Sequence, residues 1–152
     1  MPVMIRDKLK QLGIELPKLA GPFGSYVPAK RSGNLVFVAG QLPMKEGKLL
    51  ATGPVPSAAS IELAKDAARV CVINALAAVD SIGLLDQITG VVRLGVFVAS
   101  EATFTQQPQI ANGASDFLIE LFGESGKHAR AAVGVPSLPL DASVEIEFVF
   151  QV

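Results

Sequence analysis

Apolar residues recur at helical spacing in three segments of the chain. Residues 4–12 place their apolar side chains on roughly one face, which predicts a short amphipathic helix. Ser60 provides an N-cap for a longer helix that runs to about Ile82 and ends at Gly83. A third helix is predicted from about residue 108 to residue 122. The two longer helices are amphipathic, so we expect each to bury one face.

Five other segments have the alternating pattern of β-strands. Residues 87–99 are rich in β-branched side chains and alternate strictly, which favours a strand over a helix. The last two strands lie on either side of Pro139 and are predicted to form a simple hairpin, whereas residues 44–57 are predicted to be loop. The predicted strands span residues 26–31, 33–43, 87–99, 129–137 and 143–151.

This order of elements predicts one α+β domain over residues 1–152. A mixed sheet would carry the two main helices on one face, and residues 1–19 would add a short N-terminal helix and its connection. The two sheet faces differ in composition. The face predicted as core holds Val92, Leu94, Val96, Val98, Val133, Val135, Val144, Ile146, Phe148 and Phe150. The opposite face holds Val91, Arg93, Gly95, Phe97, Ala99, Arg130, Ala132, Gly134, Glu145 and Glu147.

A sheet face that mixes small and ionisable residues is neither a sealed core nor a freely solvated surface. We therefore expect it to pack against other copies of the chain, with polar residues lining clefts between subunits. The composition agrees, since 50% of the residues are hydrophobic and only 18% are charged. No apolar run reaches the roughly 18 residues that a membrane span needs. The excess apolar content is thus assigned to a subunit interface.

Charge and residue counts narrow the chemistry further. The net charge is −1 with scattered basic residues and no tryptophan, which disfavours nucleic acid as a partner. One histidine and one cysteine cannot supply the four ligands of a structural zinc site, and no metal or organic cofactor is expected. The single Cys71 and the absence of secretory-signal features favour a reducing, cytoplasmic location. His128 is assigned to a surface loop at the start of a strand.

Arg130 stands among small residues and allows two interpretations. It forms an interface ion pair with Glu145 or Glu147, or it holds its donors open for a carboxylate ligand, a role that arginine geometry suits better than lysine. In the predicted hairpin Arg130 faces the region of residues 148–150. Glu145 would then lie on the order of 10 Å or more away at about 3.3 Å per residue. Residue patterns alone leave both interpretations open.

Three motifs together resemble the YjgF/Rid family, as a divergent branch. Arg130, Leu-Pro at 138–139 and Glu-Ile-Glu at 145–147 resemble its C-terminal signature. The segment YVPAKRSGNLVFVAGQLP at 26–43 is similar to its N-terminal strand pair. The segment at 111–130 is similar to its second helix, and the resemblance covers about residues 20–152.

The resemblance implies a chorismate-mutase-like fold of the trimeric type. In such a homotrimer three sheets form a central barrel, and ligand clefts lie between subunits. The implied activity is hydrolysis of reactive 2-imino or enamine acids to 2-oxo acids and ammonia, without a cofactor. The implied ligand is a small carboxylate or imino acid.

The resemblance also implies roles for individual residues. Arg130 matches the arginine that clamps the substrate carboxylate, and Glu145 matches the glutamate that orients or activates water. Gly40 matches the glycine whose carbonyl faces the imine nitrogen. Tyr26 matches a cleft tyrosine, and Asn112 matches an asparagine at the helix start.

Three alanines depart from the family pattern. Ala39 replaces a hydroxyl residue before the cleft glycine, Ala131 replaces Ser or Thr after the arginine, and Ala132 replaces Cys or Thr. The backbone N–H of Ala132 can still donate to a carboxylate, so Ala39 and Ala132 remain candidate substrate contacts.

Three functions compete on the sequence. An imino-acid hydrolase is favoured, and a non-catalytic binding protein for a small carboxylate is the alternative. A ribonuclease or translation inhibitor is disfavoured by the negative net charge and by the lack of a histidine pair. Glu145 separates the first two hypotheses, because a binding protein needs no carboxylate directed at water.

Overall fold

The structure is a computed structural model that describes residues 4–19, 21 and 23–152, so residues 1–3 of the predicted N-terminal segment lie outside it. Three α-helices and seven strands are present among these residues, together with three short 3₁₀-helices. The helices are α1 (Ile5–Gln11), α2 (Ile61–Ser81) and α3 (Gln107–Phe122). The strands are β1 (Ala29–Ser32), β2 (Leu35–Gln41), β3 (Met44–Lys45), β4 (Lys48–Leu49), β5 (Gly90–Ala99), β6 (Ala129–Val135) and β7 (Val144–Gln151).

The main sheet is mixed and has the strand order β1-β2-β7-β5-β6. Only β5 and β6 run parallel, while the other neighbours are antiparallel. Helices α2 and α3 pack against each other. Helix α2 also packs on β1, β2 and β7, and α3 packs on β5 and β6. The predicted α+β architecture with two main helices on a mixed sheet is confirmed. Within the described residues, none of the helices combines the length and apolar character that a membrane crossing requires.

The three predicted helices are confirmed, and α2 begins and ends at the residues that the sequence indicated. The Ser60 hydroxyl accepts a hydrogen bond from the Leu63 N–H at 3.1 Å and caps α2. Gly83 follows α2 with a φ of 76°, a left-handed conformation that glycine adopts at little cost. At the N-terminus, Arg6 of α1 forms ion pairs with Asp80 at 2.6 Å and Asp86 at 3.2 Å, which fasten α1 to the end of α2.

The segment predicted as loop, residues 44–57, contains a short ribbon. Strands β3 and β4 pair as a two-residue hairpin, with Met44 opposite Leu49. Glu46 and Gly47 both have positive φ angles, as the tight turns of such hairpins require. The sequence did not indicate this ribbon, because strands of two residues are too short to show alternation.

The predicted hairpin of the last two strands is wrong. β5 lies between β6 and β7, so that Leu94 stands beside Arg130 on one side and beside Phe148 on the other. Helix α3 provides the crossover that a parallel β5–β6 pair needs. Arg130 and Phe148 therefore stand at the same height along the strands, as predicted for the hairpin, but β5 lies between them.

The predicted face of β6 is also wrong. Strand pairing puts Arg130, Ala132 and Gly134 beside Leu94, Val96 and Val98, on the face that the helices cover. Val133 stands beside Phe97 on the open face, where its side chain is 46% exposed. The prediction placed Val133 and Val135 in the core because they are the bulkier residues of this strand. In the structure β6 is an edge strand, and its small residues lie under α3 instead. For β7 the predicted core residues Val144, Ile146, Phe148 and Phe150 are all buried.

A bulge in β5 overturns one further core assignment. The register against β7 shifts between Val91 and Arg93, which turns Val91 inward beside Phe150 and leaves Val92 38% exposed. Beyond the bulge, alternation resumes, and Leu94, Val96 and Val98 are buried as predicted. A bulge adds one residue and thereby inverts the parity of the residues before it.

The contact between α2 and α3 depends on a glycine in α3. A Cβ atom at Gly113 would overlap the backbone of Lys65. Alanine residues on the buried face of α2, including Ala64, Ala67 and Ala68, let the helices approach. Asn112 and Ser115 lie on the same helix, so this contact also determines where they stand relative to the sheet.

Gly113→Ala is expected to lower the free energy of unfolding by about 1–3 kcal/mol, because the added methyl overpacks the helix contact. In an open helix the same change would stabilise by about 1 kcal/mol, so the sign is diagnostic. Urea denaturation at one protein concentration measures it, with Glu120→Ala on the exposed side of α3 as control. A Gly113→Ala protein that is more stable than the wild type would contradict the close helix contact.

Candidate functional site

An open hollow of about 740 Å³ lies on the sheet face away from the helices. Tyr26 and Ala39, both predicted as substrate contacts, line this hollow together with Phe37. The Tyr26 ring is 60% exposed and packs against Phe23 at 5.9 Å between ring centroids. The hollow thus brings together two of the predicted site residues.

A bulge at the end of β2 places Gly40 against Glu145 of β7. The register between the two strands shifts between Val38 and Gln41, and a Cβ atom at Gly40 would overlap the Glu145 carboxylate. Only glycine permits this approach. On the helix side, the Asn74 side chain donates to the carbonyls of Leu42 and Met44 at 2.9 and 3.0 Å, which anchors the chain just after the bulge.

The Glu145 carboxyl group has a raised pKa. Partial burial is the largest cause, and the nearby negative charge of Glu147 is the second. Glu147 itself forms an ion pair with Arg93 at 3.2 Å on the open face. Gly95 lies beneath this pair, and a Cβ atom there would stand only 2.7 Å from a Glu147 carboxylate oxygen. The open face therefore carries one half-buried carboxyl group that holds its proton more tightly than usual.

Arg130 lies on the other face, where it contacts α3 rather than a carboxylate. Its Nη1 donates to the Asn112 Oδ1 at 2.8 Å and to the Ser115 Oγ at 3.0 Å. An ion pair of Arg130 with Glu145 or Glu147, one of the two interpretations that the sequence left open, is absent within the described residues of one chain. Ala132, the next residue on this face, is partly buried against the core.

Ser115 and His128 join this cluster. Neither was among the predicted site residues, and His128 was assigned to a surface loop at the start of a strand. His128 is half-buried, with Nε2 at 2.9 Å from the Ser115 Oγ and Nδ1 at 2.6 Å from the Gly126 carbonyl. Signals for both were available: Ser115 follows Asn112 at helical i+3 spacing, and His128 directly precedes β6, two residues before Arg130.

The candidate site is thus divided between the two faces of the sheet. One half holds Tyr26, Ala39, Gly40 and Glu145 on the open face. The other half holds Asn112, Arg130 and Ala132 beside α3. Two strand spacings and three residues separate Arg130 from Glu145, or about 14 Å between their Cα atoms. Among residues 4–19, 21 and 23–152, no group of three or more His, Cys, Asp or Glu is placed to hold a metal ion.

The buried Cys71 takes no part in either half. Its thiol lies in the core, and burial raises its pKa, so it stays protonated. This agrees with its predicted role as a small buried hydrophobic residue.

A mixed sheet with two helices on one face is the fold that the resemblance to the YjgF/Rid family implied. Residues 6–151 match the family model described as "YjgF/chorismate_mutase-like, putative endoribonuclease". The chain belongs to this family, as its three motifs indicated.

Individual proteins of known sequence or structure agree with the family assignment. The chain is 40% identical over 145 residues to Protein TCP17 of Trypanosoma cruzi, covering 94% of this chain and 91% of the relative. It is 32% identical over 135 residues to a 2-iminobutanoate/2-iminopropanoate deaminase of Dermatophagoides farinae, covering 88% and 91%. The crystal structure of Atu1372, a protein of unknown function from Agrobacterium tumefaciens, superposes with a TM-score of 0.88 at 43% identity, covering 98% and 92%.

Glu147→Gln is expected to lower the pKa of Glu145, because a nearby like charge disfavours the ionised form and its removal restores it. The substitution also frees the positive charge of Arg93 from its ion pair, which lowers the pKa of Glu145 further. NMR titration of the Glu145 carboxyl carbon measures the change. Glu124→Gln, which removes an exposed carboxylate paired with Lys127, is the control. An unchanged Glu145 titration in the Glu147→Gln protein would remove Glu147 as a cause.

Proposed function

We propose that this protein hydrolyses 2-imino or enamine acids to 2-oxo acids and ammonia, in a cleft that two copies of the chain form together. The observation that carries the proposal is the exposed Arg130 on an edge strand, bound to the helix through one nitrogen only. The family assignment and the similarity to a relative named as an iminobutanoate and iminopropanoate deaminase support it.

The Arg130 guanidinium is proposed to bind the substrate carboxylate. Arginine has five N–H donors, and the two on Nη1 are directed at Asn112 and Ser115. Within the described residues no hydrogen bond is formed by Nε or Nη2. These two nitrogens form one edge of the guanidinium and match the two oxygens of a carboxylate. The backbone N–H of Ala132 is proposed as a further donor to that carboxylate.

Glu145 is proposed to direct the water. A carboxylate with a raised pKa is a better base near neutral pH than an ordinary one. As water attacks the imine carbon, Glu145 accepts its proton, a C–O bond forms and the C=N electron pair moves to nitrogen. Glu145 then returns the proton to nitrogen, which gives a carbinolamine. It next carries the hydroxyl proton to the same nitrogen as the C–N bond breaks, so that the carbonyl of the 2-oxo acid forms and ammonia leaves. The Gly40 carbonyl is proposed to face that nitrogen, and Tyr26 and Ala39 to contact the side chain.

The division of the site supports assembly from several copies. Because Arg130 and Glu145 lie on opposite sheet faces of one chain, one substrate can meet both only between neighbouring subunits. The open face is suited to such packing, since Phe37 is 47% and Val133 46% exposed. We propose a homotrimer, the assembly that the family resemblance implies, in which the β6 edge of one subunit adjoins the Glu145 face of the next.

A binding protein for small carboxylates is the second candidate. Ala39, Ala131 and Ala132 supply no hydroxyl or thiol group where the family pattern has one, and Arg130 can bind a carboxylate without turnover. A ribonuclease has weaker support. The only histidine, His128, already contacts Ser115 and the Gly126 carbonyl, which leaves it no ring nitrogen for RNA.

Two substitutions are expected to separate binding from turnover. Arg130→Lys keeps the charge but loses the paired donors, which contribute about 1.5–3 kcal/mol, so binding of 2-oxobutanoate should weaken at least tenfold. Glu145→Gln keeps the shape and removes the base, so it should bind 2-oxobutanoate but hydrolyse about 10² to 10⁴-fold more slowly. Calorimetry measures binding, and an amino-acid oxidase coupled to semicarbazide trapping of the imine measures hydrolysis.

The outcomes of these measurements are distinct. Wild-type protein that does not outpace spontaneous hydrolysis of any imine tested, yet binds 2-oxobutanoate, would favour the binding protein. Equal rates for the wild type and Glu145→Gln would exclude Glu145 from the mechanism. Normal binding by Arg130→Lys would leave Arg130 with a structural role.

Mixing the two variants tests whether the site is shared between chains. When Arg130→Lys and Glu145→Gln chains are co-expressed in equal amounts, about one interface in four should join an intact Arg130 to an intact Glu145. We therefore expect the mixed assembly to regain about a quarter of wild-type activity at substrate concentrations below KM, where Arg130→Lys alone should retain about a tenth or less and Glu145→Gln alone about a hundredth or less. Mixed oligomers without activity would show that both residues of one site come from a single chain.

A further inference from the structure

We propose that Ser115 and His128 are positioning residues that hold the Arg130 guanidinium with one edge turned toward the substrate carboxylate. The inference rests on the proposed function and adds two residues to it. Neither residue lines the hollow on the open face, and both lie in the hydrogen-bonded cluster around Arg130.

The proton positions in this cluster follow from its distances. The Gly126 carbonyl can only accept, so Nδ1 of His128, at 2.6 Å, carries the proton. In the neutral ring Nε2 is then an acceptor, and the Ser115 hydroxyl at 2.9 Å donates to it. The Ser115 oxygen keeps its lone pairs for the Arg130 Nη1–H at 3.0 Å. Every donor in this chain of bonds meets an acceptor.

A glycine makes this arrangement possible. A Cβ atom at Gly126 would stand 2.9 Å from the Leu118 carbonyl carbon and 3.1 Å from the Ile119 Cα. The backbone at Gly126 therefore lies directly on α3, from where its carbonyl reaches His128. Ser115 is only 8% exposed on the same helix. The cluster is anchored by buried backbone at one end, while Arg130 at the other end is exposed.

The consequence for Arg130 is a restricted orientation. An exposed arginine samples many rotamers and loses up to about 2 kcal/mol of side-chain entropy when a ligand fixes it. With both Nη1 donors held by Asn112 and Ser115, the guanidinium plane is fixed before a ligand arrives. The edge formed by Nε and Nη2 then faces away from α3. Preorganisation of this kind raises affinity without any new contact to the ligand.

A purely structural role is the competing explanation, in which the cluster only ties the edge strand β6 to α3. The two roles differ in what they change. Loss of positioning weakens binding of the carboxylate and raises KM, but it leaves kcat unchanged because Glu145 and the water are unaffected. Loss of a structural tie lowers stability and does not act selectively on the carboxylate.

The test uses the full-length protein and four variants. Ser115→Ala removes the hydroxyl. His128→Asn keeps an N–H for the Gly126 carbonyl, but its shorter side chain does not extend to the position of Nε2 beside Ser115. Ser115→Thr restores the hydroxyl, and Ser125→Ala is the control, since Ser125 bonds only the Phe122 carbonyl nearby. Calorimetry with 2-oxobutanoate, imine hydrolysis kinetics, and ¹⁵N NMR of the His128 ring and Arg130 side chain are the measurements.

We expect Ser115→Ala and His128→Asn to bind 2-oxobutanoate about tenfold more weakly, as the loss of one hydrogen bond in the network predicts. KM should rise in parallel, kcat should be unchanged, and Ser115→Thr should recover affinity. In the wild type, His128 should be the Nδ1–H tautomer, and the Arg130 Nη1 protons should give slowly exchanging signals that Ser115→Ala abolishes.

Wild-type affinity and KM in Ser115→Ala would overturn the positioning role while leaving the proposed function intact. If the wild type neither binds 2-oxobutanoate nor hydrolyses imines, the proposed function fails. The NMR signals then decide alone: an Nε2–H tautomer, or Arg130 signals unchanged by Ser115→Ala, would overturn the positioning of Arg130.

Discussion

The parallel pairing of β6 with β5 is the constraint on which the rest of the site depends. It inserts β5 between the strand that carries Arg130 and the strand that carries Glu145. It also sets Arg130 beside Leu94, so the guanidinium must turn to the helix side, where α3 supplies Asn112 and Ser115 as partners. Had the two last strands formed a hairpin, Arg130 and Glu145 would have stood on neighbouring strands, without β5 between them.

Three glycines allow close contacts that a residue with a Cβ atom would prevent. At two of them a carboxylate approaches the backbone, and at the third the backbone approaches a helix. Gly40 gives room to the Glu145 carboxylate, Gly95 gives room to Glu147, and Gly126 presents its carbonyl next to α3. At each of these positions the main chain takes part in the close contact, and Glu147 also forms an ion pair with Arg93. The half-buried environment of Glu145, and with it the raised pKa of that carboxyl group, follows from this close packing.

The same division explains why the chain has so apolar a composition. Helices cover only one face of the sheet, and Phe37, Val92 and Val133 are exposed on the other face. In a single copy these side chains would lie in water at a cost of about 25 cal/mol per Å² of apolar surface. Packing of copies against this face would remove that cost and would join the two halves of the site in one step.

The sequence by itself determined the three α-helices, the five strands of the main sheet and the identity of the family. The cap at Ser60, the glycines after α2 and α3, and the buried alternation of Val144, Ile146 and Phe148 act through neighbours a few residues away, so local pattern sufficed. It also singled out Arg130 as unusual, because an arginine among alanines stands out without any structure.

Only the tertiary structure decided where that arginine points. The alternating pattern shows which residues of a strand share a face. Which of the two faces lies under the helices is determined by pairing with the neighbouring strand, which is distant in sequence. For β6 that neighbour is β5, and for residues before Arg93 a bulge inverts the order once more. The network from Gly126 through His128 and Ser115 to Arg130 joins a turn, a helix and a strand, and such contacts exist only once the chain has folded.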